Sequence, residues 1–212
     1  MKTRLELAGV TKAFGRQQVL TQAWLQVRAG ETVGLIGANG AGKTTMLRIA
    51  AGLVRPDSGL VRWCGVQHEG QARIRYYGGE TTLPSAVSAR RWGSLFGVTV
   101  DDRRPFGHLS RGTRQLLGLR VVLAGEEADL LVLDEPWEGL DPEASAWLTD
   151  AVRRWRAGGA AVLISSHRLY DLHSVCTRFV LLENGRCQAV ADRELRPRVD
   201  QLVQAVRWRG RA

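Results

Sequence analysis

The 212-residue chain has no apolar run approaching the roughly 20 residues that a helix needs to span a bilayer. Residues 1–6, Met-Lys-Thr-Arg-Leu-Glu, lack the apolar core of a signal peptide. The expectation is a cytoplasmic chain that meets a membrane only through a partner or the lipid surface. Cysteine is scarce: Cys64, Cys176 and Cys187 lie far apart, form no C-x-x-C pair and make no metal-ligand spacing with the four histidines. This argues against a disulfide framework or a structural zinc site and leaves three reduced, structural thiols. Lysine is limited to Lys2, Lys12 and Lys43, so the net charge of +9 rests almost entirely on arginine. The arginines are scattered, which favours a solvated surface over a nucleic-acid face. The tail Arg207-Trp208-Arg209-Gly210-Arg211 is a local exception whose basic, aromatic character suits lipid headgroups or a membrane partner. There is no internal repeat and no low-complexity linker. A 44% hydrophobic, 24% charged chain of this length makes one well-buried domain, or one domain carrying a small subdomain.

The sequence does contain one dense run of glycine: Gly37-Ala38-Asn39-Gly40-Ala41-Gly42-Lys43-Thr44-Thr45. It fits the G-x-x-x-x-G-K-[ST] phosphate-binding loop. Residues 31–36 before it read as a buried strand, and 44–51 after it as a helix stopped by Gly52, which is the context the motif requires. Glycines allow the backbone to curl around an anion with N–H groups pointing inward, and the helix start adds partial positive charge. Lys43 can reach the β- and γ-phosphates, and the Thr44 hydroxyl can ligate Mg²⁺.

Around this loop the patterning predicts an α/β protein. Strands are expected at 5–10 and 19–27, with turns at 15–18 and 29–30, giving a small antiparallel sheet that feeds a mostly parallel core. Pro56-Asp57-Ser58-Gly59 is a turn signal, followed by a short strand at 60–63. Composition changes between about 77 and 125, where helices are expected at 85–96 and 110–123. The continuous apolar run Leu130-Leu131-Val132-Leu133 reads as a central parallel strand. A helix over 142–156 is capped by Asp141 with Pro142 in its first turn and ends at Gly158-Gly159. A buried strand is expected at 160–164, a hairpin at 178–183 and 186–190 around Asn184-Gly185, and an arginine-rich helix from Asp192 onward.

Acidic residues complete the candidate site. Leu133-Asp134-Glu135-Pro136 places two carboxylates at the C-terminal edge of a parallel sheet, where open α/β folds bind ligands. Asp134 is the candidate Mg²⁺ ligand, and Glu135 is placed to polarise an attacking water. His167 follows the strand Val162-Leu163-Ile164-Ser165-Ser166 and reaches the same edge, beside the γ-phosphate position.

These motifs, in this order and over essentially the whole chain, resemble the nucleotide-binding subunit of ABC transporters. Residues 37–45 match its Walker A motif and 130–135 its Walker B motif with the catalytic glutamate. Gly139-Leu140-Asp141 looks like the D-loop, and His167 like the switch histidine. Phe14 sits where the family carries an aromatic that stacks on adenine. Leu109-Ser110-Arg111-Gly112-Thr113 stands at the signature position, with Arg111 in place of a glycine and Thr113 in place of a glutamine. The resemblance implies that Ser110, Gly112 and the helix start close over nucleotide bound to the opposite subunit of a head-to-tail dimer. It also implies ATP and Mg²⁺ as ligands, Asp141 as part of the nucleotide site, and a membrane permease as partner on the cytoplasmic face. The fold implied is a P-loop NTPase with a mostly parallel core sheet, an N-terminal antiparallel β-subdomain and a small inserted helical subdomain. Residues 1–76 and 125–212 would form the core and 77–124 the helical part of a single domain.

One departure concerns the family's glutamine at the entry to the helical part. Ile74-Arg75-Tyr76-Tyr77-Gly78-Gly79-Glu80 aligns there, and the glutamine position falls on Gly79, with Glu80 or water as substitutes. The compact helical part suits small exporter-type subunits, of the ABC-2 or haem-export kind. The alternatives are a soluble ABC ATPase acting on nucleic acid or the ribosome, and an unrelated P-loop kinase or GTPase. The first lacks the tandem domains or long insertions of its kind. The second leaves Ser110, Gly112 and His167 unexplained, so no nucleic-acid partner is expected.

Overall fold

The computed structural model describes residues 2–66, 72–79, 86–97, 99–100, 102–125 and 127–191. Strands β1 (Thr3–Phe14) and β2 (Gln17–Arg28) form a bulged antiparallel hairpin, and β4 (Ser58–Trp63) pairs with the other side of β1. The turn between β1 and β2 is tighter than expected: Gln17 and Gln18 already belong to β2, and Gly15 supplies the left-handed φ of +59°. Likewise Ser58 and Gly59 are strand rather than turn. Gly59 lies so close to β1 that a Cβ on it would sit 2.4 Å from the Gly9 carbonyl oxygen.

A second sheet of six strands has the order β5-β6-β7-β3-β8-β9. Its members are β3 (Thr32–Ile36), β5 (Ile74–Tyr77), β6 (Leu130–Asp134), β7 (Ala161–Ser165), β8 (Arg178–Glu183) and β9 (Arg186–Val190). All pairings are parallel except β8 with β9, which closes the Asn184-Gly185 hairpin. Every residue of β3, β6 and β7 is buried, as strands covered on both faces require.

Side chains alternate strictly between two cores. Leu130, Val132, Leu163, Val180 and Leu182 face a cluster shared with helix α1 (Lys43–Ala50) and the antiparallel sheet. Leu131, Leu133, Val162, Ile164, Phe179 and Leu181 face the other side. There they meet α3 (Arg111–Leu123), α4 (Pro142–Ala157) and α5 (Leu169–Val175). Each such fully buried aliphatic side chain contributes about 1.5–3 kcal/mol. Cys176 and Cys187 are packed into these layers as free thiols, and burial pushes both up to about 12, so they behave as inert apolar groups.

Helix α2 (Ala89–Leu95), a single 3-10 turn at Phe106–His108 and the start of α3 share a small separate core of Ala89, Phe106, Leu109 and Leu117. The expected helix over 85–96 is shorter in the structure. Ser88 caps it by accepting the Arg91 N–H, the Ala89 and Arg90 amides bond to the Arg104 and Asp102 carbonyls, and Gly97 at φ +67° ends it. Ser85, Glu80, the expected helix from Asp192 and the basic tail lie outside the described residues.

Candidate active site

The loop at 37–45 leaves the end of β3 and enters α1, as the motif requires. Its shape depends on missing side chains. Gly37 lacks a Cβ that would lie 2.5 Å from the Leu182 carbonyl oxygen, and Gly42, at φ +102°, is pressed against Val19. Lys43 is only 8% exposed and donates from Nζ to the Gly37 and Ala38 carbonyl oxygens at 2.8 and 3.3 Å. Burial drives its ammonium below the ordinary lysine range, while Glu135 and Asp134 pull it back up. A desolvated cation at the start of a helix, behind a glycine-rich bend, suits a polyanion. Thr44 is exposed at the first turn of α1, Thr45 half-buried behind it, and Ala38, Asn39, Gly40 and Ala41 form the bend itself.

Asp134 ends β6 and is 6% exposed. Its Oδ1 accepts the Ser165 hydroxyl at 2.6 Å. Ser165 Oγ also accepts the Glu135 N–H at 3.0 Å, so this one buried hydroxyl at the end of β7 orders both carboxylate residues. Ser165 was not singled out from the sequence; a lone hydroxyl closing the apolar run Ala161-Val162-Leu163-Ile164 was the available signal. Asp134 Oδ2 takes no hydrogen bond among the described residues, and a site of one carboxylate, one Thr hydroxyl and substrate phosphates fits Mg²⁺ chemistry.

Glu135 adopts φ +47°, a left-handed conformation that costs a non-glycine residue about 1–3 kcal/mol and clusters at functional sites. Its Oε2 accepts the His167 backbone N–H at 3.1 Å and stands 2.9 Å from His167 Nδ1. The His167 ring is 59% exposed and turned toward solvent at the sheet edge. The structure therefore brings the phosphate loop, Asp134, Glu135 and His167 to one edge, as the sequence predicts.

The remaining predicted residues lie on other elements. Phe14, at the end of β1, is 53% exposed, with the Lys12 ammonium 5.4 Å from its ring centre and held there by Asp57. Ser110 caps α3 by accepting the Thr113 N–H at 3.1 Å, and Asp141 caps α4 by accepting the Ala144 N–H at 2.8 Å. Gly112 packs on the Gly139 carbonyl oxygen, 2.8 Å from where its Cβ would be. Arg111 pairs with Glu138 at 2.9 Å, and buried Gln115 donates to the Pro136 carbonyl oxygen at 3.3 Å. The start of α3 is thus fastened to the turn that follows Glu135, not to the phosphate loop of its own chain. Gly79 lies beside the end of β6: a Cβ there would come 3.8 Å from the Asp134 carbonyl oxygen.

A family model described as ABC transporter matches residues 20–138, more than half of the chain. The chain belongs to the ABC transporter family. It is an ABC nucleotide-binding domain, as its relatives also indicate. A hemin import ATP-binding protein HmuV from Pseudomonas putida is 33% identical over 247 residues, covering 97% of each chain. A Nod factor export ATP-binding protein I from Ralstonia nicotianae is 31% identical over 209 residues, 86% of this chain. This chain spans 65% of the length of that second relative. Among solved structures, an ATP-binding subunit of an ABC transporter superposes with a TM-score of 0.78 at 24% identity, covering 95% of this ABC domain and 98% of its own chain. At that identity the match establishes the ABC fold.

Proposed function

We propose that the chain is the ATP-binding and ATP-hydrolysing subunit of an ABC transporter that drives a separate membrane permease, in the export direction. ATP hydrolysis is the class of activity that family membership carries. The observation that bears most weight is Glu135, strained in its backbone and held through Oε2 by His167, next to a phosphate loop with a desolvated lysine. The Nod factor export relatives support the export direction, and the haem import relative supports the opposite one.

The roles follow from position. The amides of 37–45 and Lys43 bind the phosphates, with Phe14 offering an apolar face for the base. Thr44 and Asp134 would hold Mg²⁺, which would supply positive charge against the phosphates. Glu135 accepts a hydrogen bond from the attacking water through Oε1, the oxygen that takes no hydrogen bond among the described residues. His167 keeps that carboxylate turned inward. Ser110, Gly112 and Asp141 belong to the face that meets a second copy head-to-tail, in a single domain with 77–124 as its helical part and 1–76 and 125–212 as its core. No described helix is long and apolar enough to cross a membrane, which suits a peripheral subunit on a permease.

The Glu135→Gln protein tests this reading. It is expected to bind ATP, to hydrolyse it about 10²–10⁴-fold more slowly than the parent, and to elute as a dimer only with Mg-ATP. Hydrolysis at the parental rate would remove Glu135 from the chemistry. A variant that stays monomeric while binding ATP would refute the two-copy site.

A further inference from the structure

The glycine pair Gly78-Gly79 leaves the end of β5 without side chains beside Asp134, and Tyr76 takes up that space. Tyr76 and Gly78 lie on the same face of the strand, and the tyrosine ring runs forward over Gly78. A Cβ on Gly78 would fall 2.7 Å from both the ring edge and the Tyr76 hydroxyl oxygen. The face in question is that of α1, since Tyr76 packs against the cluster containing Met46, Leu47 and Val132. The hydroxyl is therefore directed to the sheet edge that carries Thr44 and Asp134.

This hydroxyl is buried, and its proton meets no acceptor among the described residues. A buried phenol whose proton has no acceptor is costly and points to a missing one. Its place in the sheet identifies what is missing: Tyr76 pairs with Val132 and Tyr77 with Leu133, so Gly78, under the tyrosine ring, comes alongside Asp134. Burial raises the phenol above its ordinary range, the Arg48 guanidinium, which can only donate to the hydroxyl oxygen, works against that, and the Asp134 charge adds to the rise. The group thus stays protonated and remains a donor beside an anionic carboxylate. Tyr76 also packs against the cluster holding Met46 and Leu47 of α1, the helix that begins with Lys43 and Thr44, so its hydroxyl lies on the side of the sheet that carries Thr44 and Asp134.

We propose that Tyr76 positions the divalent cation of this site: its hydroxyl donates to a water in the cation's shell, a contact that Gly79 has no side chain to make. This rests on the nucleotide-site reading above. Outer-shell donors of this kind typically change metal affinity about 10–100-fold when removed.

The experiment compares the parent with Tyr76→Phe, which keeps the ring and removes only the hydroxyl. A fluorescent ATP analogue is titrated first in EDTA and then against Mg²⁺, and melting is followed in parallel. The expected result is unchanged affinity in EDTA, a Mg²⁺ half-saturation point raised about 10-fold, and a melting temperature without ligand equal to or above the parent's. A purely packing role leaves the Mg²⁺ dependence the same in both proteins, and that outcome overturns the proposal while the nucleotide site stands. A parent that binds no nucleotide with or without Mg²⁺ overturns the functional reading and this inference together.

Discussion

Lys43 is a cation kept from water whose hydrogen bonds, among the described residues, go to two carbonyl oxygens of its own loop. Such a group is poised for an incoming anion, because the phosphate replaces weak partners with charged ones. Lys43→Ala should therefore weaken ATP binding about 100-fold, the worth of one or two charge-assisted hydrogen bonds, as read by equilibrium dialysis. Retention of the parental affinity would show that the loop amides alone hold the nucleotide. At this scale the sequence revealed residues whose chemistry is local: the glycine loop, Lys43, and the acidic pair ending an apolar strand. It did not reveal Ser165 or Tyr76. Their importance comes from where a neighbouring strand ends, 30 residues from Glu135 in one case, and no local pattern records that. The partners of Arg111 and Gln115, on the turn after Glu135, were hidden for the same reason.

The elements were legible in proportion to their length and burial. The all-apolar strands β6 and β7 and the capped helix α4 fall within a residue or so of expectation. The four-residue β5 and the seven-residue α5 were not expected at all. β5 carries Arg75 and two tyrosines rather than a branched aliphatic run, and it exists because β6 offers it a parallel edge. Its neighbour in the antiparallel sheet, β4, depends instead on a missing Cβ. At Gly59 an added methyl group would strike the backbone of Gly9 and Val10 at a φ of +90°. Gly59→Ala should cost more than about 2 kcal/mol in urea unfolding, since neither backbone atom can give way as a side chain can. A loss below about 0.5 kcal/mol would mean that β4 shifts freely along β1.

At the scale of the whole molecule, Asp129 ties the two sheets together below the core. Its carboxylate meets Arg4 of β1 at 2.7 Å and accepts the Arg73 backbone N–H at 3.0 Å. Burial alone would raise this carboxyl, but the Arg73 amide and the Arg4 and Arg73 guanidinium groups outweigh it and hold it below the ordinary value. A carboxyl lowered in the folded state contributes stability above its ordinary value of about 3.9 and loses it as pH falls through that value toward the folded one. Asp129→Asn should cost about 1–3 kcal/mol at neutral pH, and its difference from the parent should shrink below about pH 3.9, as measured by urea melts at stepped pH. A difference independent of pH would assign the loss to packing.

The strand order β6-β7-β3 has a consequence of its own. The phosphate loop and the carboxylates grow from strands that are not neighbours but stand on either side of β7. Two strand spacings of about 4.8 Å each set them about 10 Å apart. That interval is fixed by backbone hydrogen bonding, so β7 acts as a gauge block whose thickness no side-chain replacement can alter. The length of phosphate chain that can reach from Lys43 to Glu135 is a property of the sheet itself.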